Sequence, residues 1–130
     1  MKLGCWLALG VGLLLAGCEP QASIPQGVQV WFSPNGGATA AVVNALDQAT
    51  NSVLVQAYSF TSAAIAKALA EAKARGVDVK AVLDKSNETR KYFGAIYLAH
   101  HAIPVWIDDK HAIAHNKVMV VDGNTVTPAR

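Results

Sequence analysis

With 130 residues the chain holds one domain at most, and 11 Lys and Arg against 9 Asp and Glu leave a net charge of only +2. That balance excludes the strongly basic surface by which charge alone would announce a nucleic-acid partner. The 2 cysteines, Cys5 and Cys18, allow no internal disulfide once an N-terminal leader carrying Cys5 is removed, so stability must come from packing or from a partner subunit.

The leader comes first. Lys2 precedes an uncharged apolar stretch, residues 3–15, which is short of the ~20 apolar residues that a membrane-spanning helix needs and reads as a secretory signal. Its end, Leu15-Ala16-Gly17-Cys18, resembles the lipobox of bacterial lipoproteins. The resemblance implies cleavage before Cys18 and acylation of that cysteine, which would hold the protein on a membrane surface. Glu19 stands where an aspartate would favour the inner membrane, so the expected location is the cell envelope or periplasm, with the outer membrane favoured. The expected organisation is a signal peptide over residues 1–17, a polar tether with two prolines over 18–27, and a folded domain over 28–130.

Within that domain, "VQVWF" (28–32) alternates as a strand does and is ended by Ser33-Pro34-Asn35-Gly36-Gly37. Residues 38–49 are rich in helix formers, with Ala41, Ala45 and Ala49 on one stripe beside Val42 and Leu46. "SVLVQAY" (52–58) is the next strand. Ser62 then caps a helix in which Ile65, Leu69 and Ala72 recur at helical spacing, stopped by Gly76 behind Lys73 and Arg75. "VDVKAVL" (77–83) is a third strand, and Ser86 or Asn87 starts a third helix that buries Phe93, Ile96 and Tyr97. "IPVWI" (103–107) and "KVMVV" (117–121) complete the strands. The order βαβαβαβ plus one strand predicts an α/β fold, a mostly parallel mixed sheet flanked by helices. Apolar runs such as "VMVV" fit a sheet covered on both faces.

The stretch "HNKVMVVDG" (115–123) carries the chemistry. Strand parity puts His115, Lys117, Met119 and Val121 on one face and Asn116, Val118, Val120 and Asp122 on the other. An imidazole beside a fixed ammonium suits attack on an anion, and a phosphodiester is the natural case. Taken alone, a histidine and a lysine at a strand end read as a solvated surface pair. Other candidates are weaker. His111 and His115 with Asp108 and Asp109 match no metal-ligand pattern closely, so no metal is expected. His100-His101 reads as a helix C-terminal charge, Asp84 as a strand-to-helix turn residue, and Tyr58 to Thr61 as packing and capping. Trp31 and Trp106 read as core or dimer-interface residues rather than base-stacking platforms.

The full pattern, His115-x-Lys117-x-x-x-x-Asp122, resembles the signature of the phospholipase D superfamily. Together with "QAYSFTSAAIAKALAEAKARGVDVKAVLDKS" and "IPVWIDDKHAIAHNKVMVVDG", it is similar to the single-motif, secreted bacterial endonucleases of the Nuc type. The resemblance implies the phospholipase D/nuclease fold and catalytic roles for the motif residues. His115 would be nucleophile in one subunit and leaving-group acid in its partner, and Lys117 would bind phosphoryl oxygens. Asp122, across the strand, is read as structural. It further implies a nucleic-acid substrate (with phospholipid as the alternative), no metal or cofactor, and a homodimer with a shared active site. Relatives continue past the motif with a Gly-Ser pair, an asparagine, and a helix and strand carrying an acidic residue. Here Thr127 is followed by Pro128, Ala129 and Arg130, so the expectation is a C-terminal part that is missing, and an inactive remnant serving as a binding module is a further alternative.

Overall fold

The structure is a computed structural model describing residues 27–88, 93–123 and 125–128. The expected signal, Cys18 and most of the tether lie outside the described residues. Among the described residues five strands form one sheet in the order β3-β2-β1-β4-β5: β1 Ser52–Ala57, β2 Asp78–Asp84, β3 Val105–Asp108, β4 Lys117–Val121 and β5 Thr125–Pro128. The β1–β2 and β2–β3 pairs are parallel, whereas β1–β4 and β4–β5 are antiparallel. The sheet is therefore mixed, and β1 is the strand at which the direction of pairing changes.

Three α-helices of the described residues accompany it: α1 Ala38–Asp47, α2 Ala63–Ala74 and α3 Phe93–His100. Helix α2 begins where Ser62 Oγ accepts the Ile65 N–H at 3.4 Å and ends before Gly76, whose φ of 96° is the left-handed conformation glycine tolerates best. The core is one layer between these helices and one face of the sheet. Val42 and Leu46 of α1, Leu69 of α2 and Leu98 of α3 meet Val53, Val55, Val79, Leu83, Met119 and Val121 from the strands. Strands β1, β2 and β4 each contribute every second residue, as the pleat requires.

Several sequence expectations are corrected by this arrangement. Residues 28–32 form no strand: Phe32 makes only isolated bridges to Gly36 and Gly37, and Val28, Val30, Trp31 and Phe32 are exposed. Alternation predicts a strand only where a sheet edge is available to pair with, and the described chain lays this segment along neither edge. The second sheet face is also not covered by the described residues, for Leu54, Val82 and Trp106 stand exposed on it. Trp31 and Trp106, at 53% and 52% exposure, are accordingly not core residues.

Helix α3 turns a different side inward than expected. Gly94 and Leu98 are buried, whereas Phe93 and Ile96 are exposed and Tyr97 is half-buried. The contact is made through Gly94 because nothing larger fits: a Cβ there would lie 2.5 Å from the Phe60 carbonyl oxygen. Periodicity of apolar side chains cannot mark a glycine as the inward position. Finally, β5 has no counterpart among the expected strands. It pairs along β4 with Thr125 opposite Val121 and Pro128 opposite Val118, and proline is tolerated there because β5 is an edge.

Candidate active site

The parallel strands β1 and β2 end on the same side of the sheet, and β4, running the other way, begins there. That is where an open α/β sheet presents functional groups, in the crevice outside the carboxyl ends of its strands. The register sets Lys117 opposite Ala57, and one step further the Tyr58 N–H donates to the Asn116 carbonyl at 2.8 Å. His115 lies just before β4 and is exposed; Lys117, its first residue, is half-buried. Two residues apart, they project to the same side, and Lys117 Nζ comes within 3.1 Å of His115 Nε2. An ammonium has only protons to offer, so Nε2 in this contact is the imidazole nitrogen bearing the lone pair.

Tyr58 closes the third side. Its ring centroid lies 4.7 Å from that of His115, tilted by 56°, and Lys117 Nζ stands 5.3 Å from the Tyr58 centroid. The second distance is within cation–π range. A tyrosine read as packing and capping from the sequence thus touches both ionisable residues of the motif. Its signal was positional only: it follows directly on the carboxyl end of β1.

Asp122 is at the far end of β4. Its carboxylate accepts the backbone N–H groups of Thr50 (2.9 Å), Asn51 (2.8 Å) and Ser52 (2.9 Å) and the Thr50 hydroxyl (3.0 Å), while its own N–H donates to the Ser52 carbonyl at 2.8 Å. Asp122 joins the end of β4 to the start of β1. The Ser52 N–H above all, then those of Thr50 and Asn51, hold its carboxyl at about 2, below the ordinary 3.8, because each bond favours the charged form.

Behind His115 lies Asp84, the last residue of β2, with a carboxylate that accepts the Ala114 N–H at 2.8 Å and the Ser86 N–H at 2.9 Å. These bonds, the one from Ala114 foremost, place its pKa below 3.8. Asn87, in the short 3-10 helix Lys85–Glu88, accepts the Phe60 N–H at 3.2 Å and donates to the carbonyls of Tyr58 (2.5 Å) and Asp84 (3.0 Å). At the rim, Asp108 and His111 pair with each other, Oδ2 to Nδ1 at 2.7 Å, and Lys85 Nζ donates to the His111 carbonyl at 3.1 Å. The His111 bond lowers the Asp108 pKa. His101 returns its Nδ1 to the Tyr97 carbonyl at 2.8 Å, at the end of α3. Among the described residues, no three His, Cys, Asp or Glu side chains are grouped so as to hold a metal ion.

Comparison with known proteins identifies the family and the fold. A family model described as the cardiolipin synthase, PLD-like domain matches residues 42–128. A phospholipase D of Rickettsia conorii is 40% identical over 99 residues, covering 76% of this chain and 50% of that one. A phospholipase D of Rickettsia typhi is 39% identical over 108 residues, 80% of this chain and 53% of its own. The chain thus spans about half the length of these curated relatives. Among solved structures, Nuc from Salmonella typhimurium, a phospholipase D family member, superimposes with a TM-score of 0.70 at 46% identity, over 75% of this chain and 66% of Nuc. NucT from Helicobacter pylori follows at a TM-score of 0.58 and 25% identity, over 68% of this chain and 62% of NucT. The fold, the paired His115 and Lys117, and matches that span most of the domain lead to one conclusion: the chain belongs to the phospholipase D superfamily and has the Nuc-type fold.

Proposed function

We propose that the protein is a phosphodiesterase that cleaves nucleic acid through a phosphohistidine intermediate, with no metal taking part. The observation that carries this reading is the contact between His115 Nε2 and Lys117 Nζ at the carboxyl ends of the parallel strands. A diester entering the crevice offers anionic oxygens to Lys117, whose protons turn from Nε2 to the phosphoryl group. Nε2 then has a free lone pair facing phosphorus. It forms the N–P bond as the P–O bond to the leaving group breaks, and Lys117 neutralises charge on the non-bridging oxygens. Water later breaks the N–P bond and restores the imidazole.

The departing alkoxide needs a proton from the side opposite His115. In this reading a second copy of the chain supplies that acid from its own His115 in a two-fold dimer. Asp122 serves this site only by fixing the end of β4. Likeness to the structures of Nuc and NucT favours nucleic acid as substrate. Phospholipid is the second reading, favoured by the phospholipase D relatives and by a lipid anchor at Cys18, which would place the enzyme on a membrane of the bacterial envelope. A chain that only binds, without turnover, is the remaining alternative.

Plasmid nicking and choline release from phosphatidylcholine, both with EDTA present, test the proposal together. Nicking without choline release is expected. Choline release alone would transfer the site to lipids, and nicking that requires added metal would overturn the histidine mechanism.

A further inference from the structure

Asp84 and Asn87 are the buried polar side chains among the described residues, 3% and 1% exposed, and neither belongs to the motif. Burying a carboxylate or an amide is costly unless its bonding capacity is met, and both side chains meet theirs on backbone groups: Asp84 on the N–H groups of Ala114, beside His115, and Ser86, and Asn87 on Phe60, Tyr58 and Asp84. His115 is an exposed residue two positions before the first residue of β4, so the sheet alone does not hold it. Its neighbours are held instead. The Asn116 carbonyl takes the Tyr58 N–H at 2.8 Å, and the Ala114 N–H is held by Asp84 Oδ2 at 2.8 Å. On the other wall, Asn87 fixes the Tyr58 carbonyl at 2.5 Å and ties back to the Asp84 carbonyl at 3.0 Å.

We propose that Asp84 is a positioning residue of the active site: by holding the Ala114 N–H, its carboxylate sets the imidazole of His115 against the Tyr58 ring and beside Lys117. The inference rests on the reading of His115 as the reacting group, and it assigns Asp84 a role in rate beyond that of turning the chain after β2. Asp84→Asn is the decisive change. It keeps size and shape but leaves one acceptor oxygen for two N–H groups, and its amide protons must face one of them. A nucleophile displaced by an ångström loses about 100-fold in rate.

The test uses the full chain with bis(p-nitrophenyl) phosphate, and NMR of the His115 ring protons, which the Tyr58 ring current shifts. In Asp84→Asn, kcat should fall about 100-fold with KM little changed, and the His115 resonances should move toward those of a free imidazole. The core variant Val79→Ala, which loosens the same strand, should leave the His115 resonances in place. If the wild type turns over diester and Asp84→Asn keeps both its kcat and its His115 shifts, the proposal falls while the function stands. If the wild type has no activity but the resonances still move, the positioning stands and the phosphodiesterase reading falls. Should Asp84→Asn fail to fold, hydrogen exchange in the wild type decides: the Ala114 amide should exchange as slowly as those of β4, and exchange at the rate of an open loop would overturn the proposal.

Discussion

Replacing Asn87 with alanine removes the most buried polar side chain in the described structure, and the cost follows from its three bonds. The Phe60 N–H loses its acceptor, and the carbonyls of Tyr58 and Asp84 lose their donor. Leaving a buried polar group unmet costs ~1–3 kcal/mol, so three groups set a ceiling of ~9 kcal/mol that entering water must reduce. A loss of about 2–4 kcal/mol is therefore expected, a large fraction of the ~5–15 kcal/mol that stabilises a typical domain. Asn87→Asp sharpens the prediction. It keeps an acceptor for Phe60 but turns a carboxylate oxygen toward two carbonyls, so it should destabilise at least as much as alanine. Urea unfolding at fixed pH measures both, with the midpoint falling and the slope unchanged. A loss under ~0.5 kcal/mol for both variants, the range of an ordinary surface change, would refute the account of Asn87 as the tie between β1 and β2.

Acid stability should depend on Asp122. Its folded-state pKa, about 2, is below the ordinary 3.8, so its contribution is present above the unfolded value and disappears as pH falls from near 3.8 through about 2. Urea midpoints followed down to about pH 2 should fall less steeply across that window in Asp122→Asn than in the wild type, and identical profiles would contradict its bonds to Thr50, Asn51 and Ser52. Gly94→Ala should lower the melting temperature even though alanine is the better helix former by ~1 kcal/mol. Its Cβ would meet the Phe60 carbonyl oxygen at 2.5 Å, and such overpacking costs ~1–3 kcal/mol; a higher melting temperature would refute the seating of α3.

The elements built on strong local patterns were legible in the sequence. The bounds of β4 and the shared side of His115 and Lys117 follow from a period of two, and Ser62 and Gly76 mark the ends of α2 by cap chemistry. What escaped depends on partners that a local pattern does not contain. Residues 28–32 alternate like a strand yet have no edge to join, and "VMVV" is apolar although the described helices cover only one face of the sheet. Gly94 carries no hydrophobic signal at all, so the inward side of α3 was misread toward Phe93 and Ile96. The same holds for the site. Its two charged members lie two residues apart, but Tyr58 reaches them from the end of β1, while Asp84 bonds the Ala114 N–H and Asn87 the Tyr58 carbonyl across 30 and 29 positions of sequence.

The central claim is that His115 attacks phosphorus. Hydrolysis of bis(p-nitrophenyl) phosphate in EDTA by the wild type and by His115→Ala tests it most directly, with circular dichroism confirming that both fold. The account predicts turnover by the wild type and none above background by the variant. Turnover that survives in a folded His115→Ala protein would contradict it.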